Sequence, residues 1–349
     1  MKSPYVLPQF RRLAGAWLAA CTLLVFAMVV LGGLTRLTHS GLSITEWQPF
    51  VGTLPPLSAA DWQAMFEKYQ LTPEFRLKNH WMGVEDFKGI FWLEYFHRLL
   101  GRGIGLVFFL PYAWFLWRRA FSRALAWRLA GIFALGGLQG AVGWLMVQSG
   151  LIDDPRVSHL RLTVHLGLAL AIYCALVWTW LDVRRNPPLR AGPPARSGIA
   201  FAGLAFAALA FMTALSGGLV AGIRAGYLYP TWPLMHGAFM PPDAWAMEPW
   251  WISAFESAAT IQFNHRLLAY TVTACALALA FGVWRRVQDA TARALAVALL
   301  AAVALQVSLG ISTLLLHVPV PLAAAHQAGV LVLLGVALML AHRLRTLRY

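Results

Sequence analysis

The sequence predicts an all-α polytopic membrane protein, with eight transmembrane helices arranged as two pseudo-symmetric four-helix bundles. Three observations carry that expectation. The 349 residues are 59% hydrophobic and only 12% charged, more apolar surface than a soluble chain of this length can bury. Eight apolar runs each reach the roughly 20 residues that a bilayer core requires. Four features of the first half also return, in the same order, in the second.

The first run, 14–35, follows MKSPYVLPQFRR with no small-residue cleavage site and passes into GGLTRLTHSG, so it reads as a retained span. A long polar loop, 36–89, comes next. Within it, 61–88 mixes charged and aromatic residues, as short helices lying on the outer surface do. Spans at 90–116, 129–148 and 160–181 complete a first half, 1–185. The Pro-rich stretch NPPLRAGPPARSG, 186–198, is a linker to the second half, 199–349. That half has spans at 199–222, 258–284, 294–316 and 322–342, and its own long loop at 223–257. Cys21, Cys174 and Cys275 fall within spans, where they read as core residues, and no CxxC or zinc pattern exists.

The net charge of +14 reports topology and not a nucleic-acid partner. The N-terminus, the segments 118–128, 182–198 and 285–293, and the tail from Arg343 together hold 17 of the 28 Lys and Arg residues. Asp182 and Asp289 are the only acids among them. By the positive-inside rule these segments, and both termini, face the cytoplasm.

The repeat is read from four pairs. GGLTRLTHSGLSITEWQP from Gly32 matches GGLVAGIRAGYLYPTWPL from Gly217, and EYFHRLL matches QFNHRLL. LQGAVGWLMVQSGL from Leu138 matches LQVSLGISTLLLHVP from Leu305, and RLTVHLGLAL matches LAAAHQAGVL. Each half thus carries a histidine on its second span (His97, His265) and another on its fourth (His165, His326), all near the outer helix ends. An ionisable group inside a span is costly and marks function by default. Two imidazoles facing each other across a bundle are what a haem iron needs for axial ligation on both faces. A lone histidine would read as a hydrogen-bonded core residue; four at matching places do not. Arg98 and Arg266 follow directly, and either pairs with a haem propionate or snorkels to the interface. The Gly-Gly-Leu segments permit close helix packing or the approach of a flat macrocycle. His39, His80, His159 and His236 read as rim or surface residues, His342 borders the cytoplasmic tail, and His317 lies where it would line the mouth of the second site.

Glu94 lies one helical turn before His97, and the matching residue is Gln262. A carboxylate beside a haem site moves protons or stabilises developing positive charge, whereas an amide only hydrogen-bonds. The difference predicts a reactive first half and an electron-holding second half.

The strings SITEWQPFVGTLPPLSAADWQAMFEKYQ, FWLEYFHRLLGR, DDPRVSHLRLTVHLGLAL, TWPLM and HVPVPLAAAHQ resemble the haem A synthase family, in its proteobacterial and mitochondrial branch. The resemblance runs from about Gly32 to His326. It implies an inner-membrane oxidoreductase that oxidises a ring methyl of haem O to the formyl group of haem A, by successive hydroxylations, for aa3-type oxidases. It implies a haem b cofactor on His265 and His326, haem O on His97 and His165, and a functional glutamate at Glu94. It also implies a homo-oligomer, an electron donor it does not name, and contact with the farnesyltransferase that makes haem O. One departure is that relatives are expected to carry an acidic residue where this sequence has the basic Arg224, His236 or both. A diheme b-type electron carrier would use the same histidines but has no need of Glu94. A transporter would place its polar residues nearer mid-membrane.

Overall fold

A computed structural model describes residues 5–47, 52–152, 154–185 and 198–347. All eight expected spans are helices long and apolar enough to cross a membrane. They are α1 (Arg11–Leu37), α3 (Val84–Trp117), α4 (Arg123–Gln148), α5 (His159–Arg185), α6 (Gly198–Gly222), α8 (Ala258–Arg286), α9 (Ala290–Leu315) and α10 (Val320–Thr346). The helix α2 (Ala59–Gln70) and a π turn at Phe75–Asn79 lie in the first long loop, and the one-turn α7 (Ser253–Glu256) lies in the second. Of the expected linker, residue 198 already belongs to α6, and the remainder lies outside the described residues.

The ends follow ordinary capping chemistry. Ser58 and Asp61 form a capping box on α2. Ser122 accepts from Leu125 N to start α4, and Asp289 accepts from Ala292 N to start its counterpart α9. The 34 residues of α3 rise about 51 Å at ~1.5 Å per residue, well beyond a ~30 Å hydrocarbon core. Its first turns carry Glu85, Asp86 and Lys88, so the charge sits on the part of its length that a hydrocarbon core does not need.

Helices of the first half contact one another in a closed ring, α1–α3–α4–α5, and those of the second in the ring α6–α8–α9–α10. The order of contacts is the same in both, as the repeat requires. The rings join through α5 on α6, α1 on α10, and α5 on α10. Accordingly α1, α6 and α10 each bury 39% of their most apolar window inside the protein, whereas α4 buries 6% and turns almost entirely outward. Cys21 is buried, but Cys275 is exposed on the outward face of α8, so it is not the core residue expected.

Two matched glycines make the junction close. A Cβ on Gly33 would collide with the Gln327 amide, which donates to the Val29 carbonyl at 2.7 Å. A Cβ on the equivalent Gly218 would sit 3.2 Å from Leu166 and 3.3 Å from Thr163 Oγ1. At the opposite, Arg-rich end, Asp182 on α5 accepts from Arg128 on α4 at 2.6 Å and from His342 on α10 at 3.0 Å.

Above the first ring, α2, the π turn and the start of α3 enclose an aromatic cluster of Phe66, Tyr69, Phe87, Phe91 and Tyr95. Ile44 packs against it from the loop after α1. The expectation of short helices in 61–88 is met, with one difference: they pack a core of their own on the extension of α3.

Candidate functional site

The ring order sets His97 on α3 across from His165 on α5, and His265 on α8 across from His326 on α10. Each pair thus sits on diagonal helices of its bundle, and within each pair the imidazoles lie within electrostatic reach of each other. All four rings are half-buried.

The other two helices of each ring contribute glycine. A Cβ built on Gly32 of α1 would lie 3.0 Å from His97 Nε2, and one on Gly143 of α4 would lie 2.7 Å from His165 Cε1. In the second half the same constructions give 3.2 Å from Gly217 to His265 Cε1 and 2.9 Å from Gly310 to His326 Cε1. Gly32 matches Gly217 in the repeat, and Gly143 matches Gly310. Any side chain larger than hydrogen there would push into an imidazole.

Polar partners set the rings further. Ser216 Oγ lies 2.7 Å from His265 Nδ1, and Gln139 Nε2 lies 3.3 Å from His165 Nε2. Gln306, the equivalent of Gln139, instead donates to the His326 carbonyl at 2.9 Å. Nδ1 of His165 and Nδ1 of His326 are buried with no hydrogen-bond partner, as is Nε of Arg266. Buried polar atoms are nearly always paired, so orphans at matched ring positions fit sites that a bound group completes. Paired half-buried imidazoles above bare glycine backbone suit a flat macrocycle with an iron taking two axial ligands. Among the described residues, no group of three or more His, Cys, Asp or Glu side chains is set to hold a bare metal ion.

Glu94 is 2% exposed and fully engaged. Its Oε2 accepts from Ser43 Oγ at 2.7 Å and from the Ile44 amide at 2.9 Å, and its Oε1 accepts from Arg98 Nη2 at 2.7 Å and Arg98 Nε at 3.0 Å. Arg98 in turn donates to the Ile44 carbonyl at 2.7 Å and the Glu46 carbonyl at 2.9 Å. The pair therefore pins the start of the first loop over the His97 helix. In the second half, Arg266 Nη2 donates to the Tyr229 carbonyl at 2.8 Å, and Gln262 Nε2 reaches the same oxygen at 3.0 Å. Tyr229 holds the repeat position of Ile44. One anchor is thus built twice, with a carboxylate that accepts from the loop in one half and an amide that donates to it in the other. Arg98 spends most of its donors on this anchor; Arg266 keeps its orphaned Nε free to take a carboxylate of a bound group.

The remaining histidines distribute unevenly. His80, His236 and His317 are exposed, and His236 packs against Tyr229 at 5.0 Å between ring centroids. His159 reaches the Phe255 carbonyl at 2.8 Å, a second link between the halves. His39 contacts Arg224 at 3.3 Å. Sequence reasoning did not single out Ser43, Ser216, Gln139, Gln306, Gly143 or Gly310 as site residues; only the repeat alignment of Gln139 with Gln306 and of Gly143 with Gly310 hinted at them.

Comparison with known proteins places these features in a family. Residues 15–338 match the model of the COX15-CtaA family, described as cytochrome oxidase assembly protein. A heme A synthase of Nitrosospira multiformis is 54% identical over 333 residues, covering 94% of this chain and 92% of that protein. Heme A synthases of Rhodospirillum centenum and Parvibaculum lavamentivorans are each 48% identical over 94% of this chain, covering 87% and 93% of their own lengths.

Proposed function

The chain belongs to the COX15-CtaA family of cytochrome oxidase assembly proteins, and from that premise we propose that its first bundle converts haem O to haem A while its second holds a resident haem b. The haem A synthase function rests on curated relatives of that name at high identity over most of the chain. The reaction oxidises a ring methyl to a formyl group by successive hydroxylations. The observation that carries the division of labour is the matched pair of diagonal histidine sites, which share the glycines facing the rings but carry Glu94 in one half and Gln262 in the other.

His97 and His165 hold the substrate haem O from its two faces, and Gly32 and Gly143 leave room for the rings that do so. His265 and His326 would hold haem b, which would supply one-electron transfer to that bundle. Arg266 offers its unpaired Nε to a propionate. Glu94, held by Arg98, Ser43 and Ile44, fixes a negative charge and a proton-accepting group at the wall of the first site. The aromatic cluster above it excludes water from that wall. The protein is a multi-pass membrane protein; we place both termini on the cytoplasmic side, with the haem sites near the outer face. Transfer of haem O from its farnesyltransferase within the bilayer, a separate electron donor and a homo-oligomer belong to the same reading.

The test is haem extraction, chromatography and mass identification from a host that makes haem O but no haem A. The wild-type chain should yield haem A, Glu94→Gln should yield little or none, and His265→Ala with His326→Ala should lose haem b. Haem B alone, retained by a folded wild-type chain, would overturn the reading in favour of an electron carrier.

A further inference from the structure

A second carboxyl group lies buried near Glu94, and nothing in the function above uses it. Glu74, at the start of the π turn, is 2% exposed, although it belongs to a charged loop. Its surroundings are aromatic: Tyr69 is fully buried beside it, and Tyr69 packs on Phe75 and stacks on Phe87 at 5.2 Å. Among the described residues, the one hydrogen bond to its carboxyl comes from Tyr69 Oη at a long 3.4 Å, and Tyr69 Oη itself accepts from Asn79 Nδ2 at 2.7 Å. Among the described residues no cation lies within ion-pair distance of Glu74. Lys78, one turn on, acts on it electrostatically, and its Nζ is spent on the Pro155 carbonyl at 3.1 Å.

Glu94 provides the contrast. It has a guanidinium at 2.7 Å and two further donors, so its charge is matched. Glu74 has neither, yet Glu94 acts electrostatically on both Glu74 and Tyr69. Two carboxyl groups in one apolar cluster, one with a full set of partners and the other nearly bare, are a recurring arrangement for an acid and a base held apart by environment. The second bundle has no counterpart: Asp243, Glu248 and Glu256 in its loop are all exposed. The asymmetry therefore runs parallel to Glu94 against Gln262.

We propose that Glu74 is a positioning residue of the first site: it is a neutral carboxylic acid in the resting protein, held in the aromatic cluster beside Tyr69, and it stores the proton that Glu94 draws on. The step moves one proton and no electrons; the O–H bond on Glu74 breaks, one on Glu94 forms, and the cluster keeps its single negative charge. Burial pushes the Glu74 carboxyl up to about 7, with the charge of Glu94 adding to the rise and Lys78 and the Tyr69 hydroxyl opposing it. A store with that affinity releases its proton near neutral pH, where a general acid is most effective.

This inference rests on the haem A reading only for the use of the proton, and the test separates the two. Infrared spectra of the purified full chain, wild type and Glu74→Gln, are recorded from pH 5 to 9. The wild type should show a protonated-carboxyl C=O band that fades as pH rises through about 7, and the band should be missing in Glu74→Gln. Haem A yield is followed in the same variants. Glu74→Gln mimics the neutral acid, so the fold should hold, but turnover should fall about tenfold, below the ~10²–10⁴-fold of a direct acid or base, and lose its limb near pH 7. Glu74→Asp should recover part of both. A wild-type spectrum with no such band, or a Glu74→Gln chain with unchanged rate and pH profile, overturns the proposal. A correct band in a chain that forms no haem A would instead leave the acid in place and remove the haem A reading.

Discussion

His39 and Arg224 occupy the same position in the two halves, and they touch each other at 3.3 Å. Both have left-handed backbones, with φ of 54° and 58°. Few residues other than glycine adopt that conformation, so its occurrence at both copies of one position reflects a helix ending shared by the two halves. Partial desolvation, reinforced by the positive charges of Arg224, Lys78 and Arg36, holds the His39 imidazole below its ordinary value of 6.5. A depressed folded value means the contact stabilises above pH 6.5 and loses that stability as pH falls through the folded value. Melting curves should therefore show an acid-side loss that Arg224→Gln reduces, and histidine NMR should show His39 titrating closer to 6.5 in that variant.

The glycines opposite the histidines give the sharpest mutational contrast. Gly143→Ala and Gly310→Ala each place a methyl within 3.0 Å of an imidazole, an overpacking that costs about 1–3 kcal/mol and turns the ring. Each should lower haem occupancy of its own bundle, measured by pyridine haemochrome content per chain. Gly140→Ala, with nothing within 4 Å, should leave occupancy unchanged.

Altering either anchor should be costly. Glu94→Ala leaves Arg98 without its carboxylate, and breaking a buried pair from one side costs about 3–5 kcal/mol. Hydrogen exchange at the Ile44 amide should rise sharply in that variant. Gln262→Glu removes the donor to the Tyr229 carbonyl and sets two acceptors against each other, at a cost of about 1–3 kcal/mol. It should lower the melting temperature, and it should not confer haem A formation on the second bundle.

The outer aromatic cluster should be more stable in acid than in base. The folded value of Glu74, about 7, lies above its ordinary 4.5. Its contribution is therefore full below 4.5 and is lost as pH rises through 7. Limited proteolysis of residues 59–80 should accelerate above neutral pH in the wild type and stay constant in Glu74→Gln.

The spans were legible because each satisfies its own backbone and its apolar run is counted directly. Their starts were less so: α3 begins at Val84 and α4 at Arg123, six residues before the expected starts at 90 and 129, because those turns carry Glu85, Asp86 and Lys88 or Arg123 and Arg128, and hydropathy no longer marks them. The histidine pairs were legible through repetition alone. The loop anchors were not, since the oxygens that Arg98 and Arg266 bind are main-chain carbonyls, which no residue alphabet displays. Glu74 was hidden for the opposite reason. Charged neighbours on both sides suggested a wet loop, and only the packing of Tyr69, Phe75 and Phe87 turns it inward.

The identical ring order of the two halves has a consequence for how such a molecule can change. In a homodimer of four-span units, any substitution alters both copies at once, so a residue useful in one bundle is imposed on the other. Tandem copies in one polypeptide are released from that constraint while keeping the same contacts at their junction. Glu94 and Gln262 are what this freedom permits: one repeated scaffold in which the same position carries a carboxylate in one copy and an amide in the other.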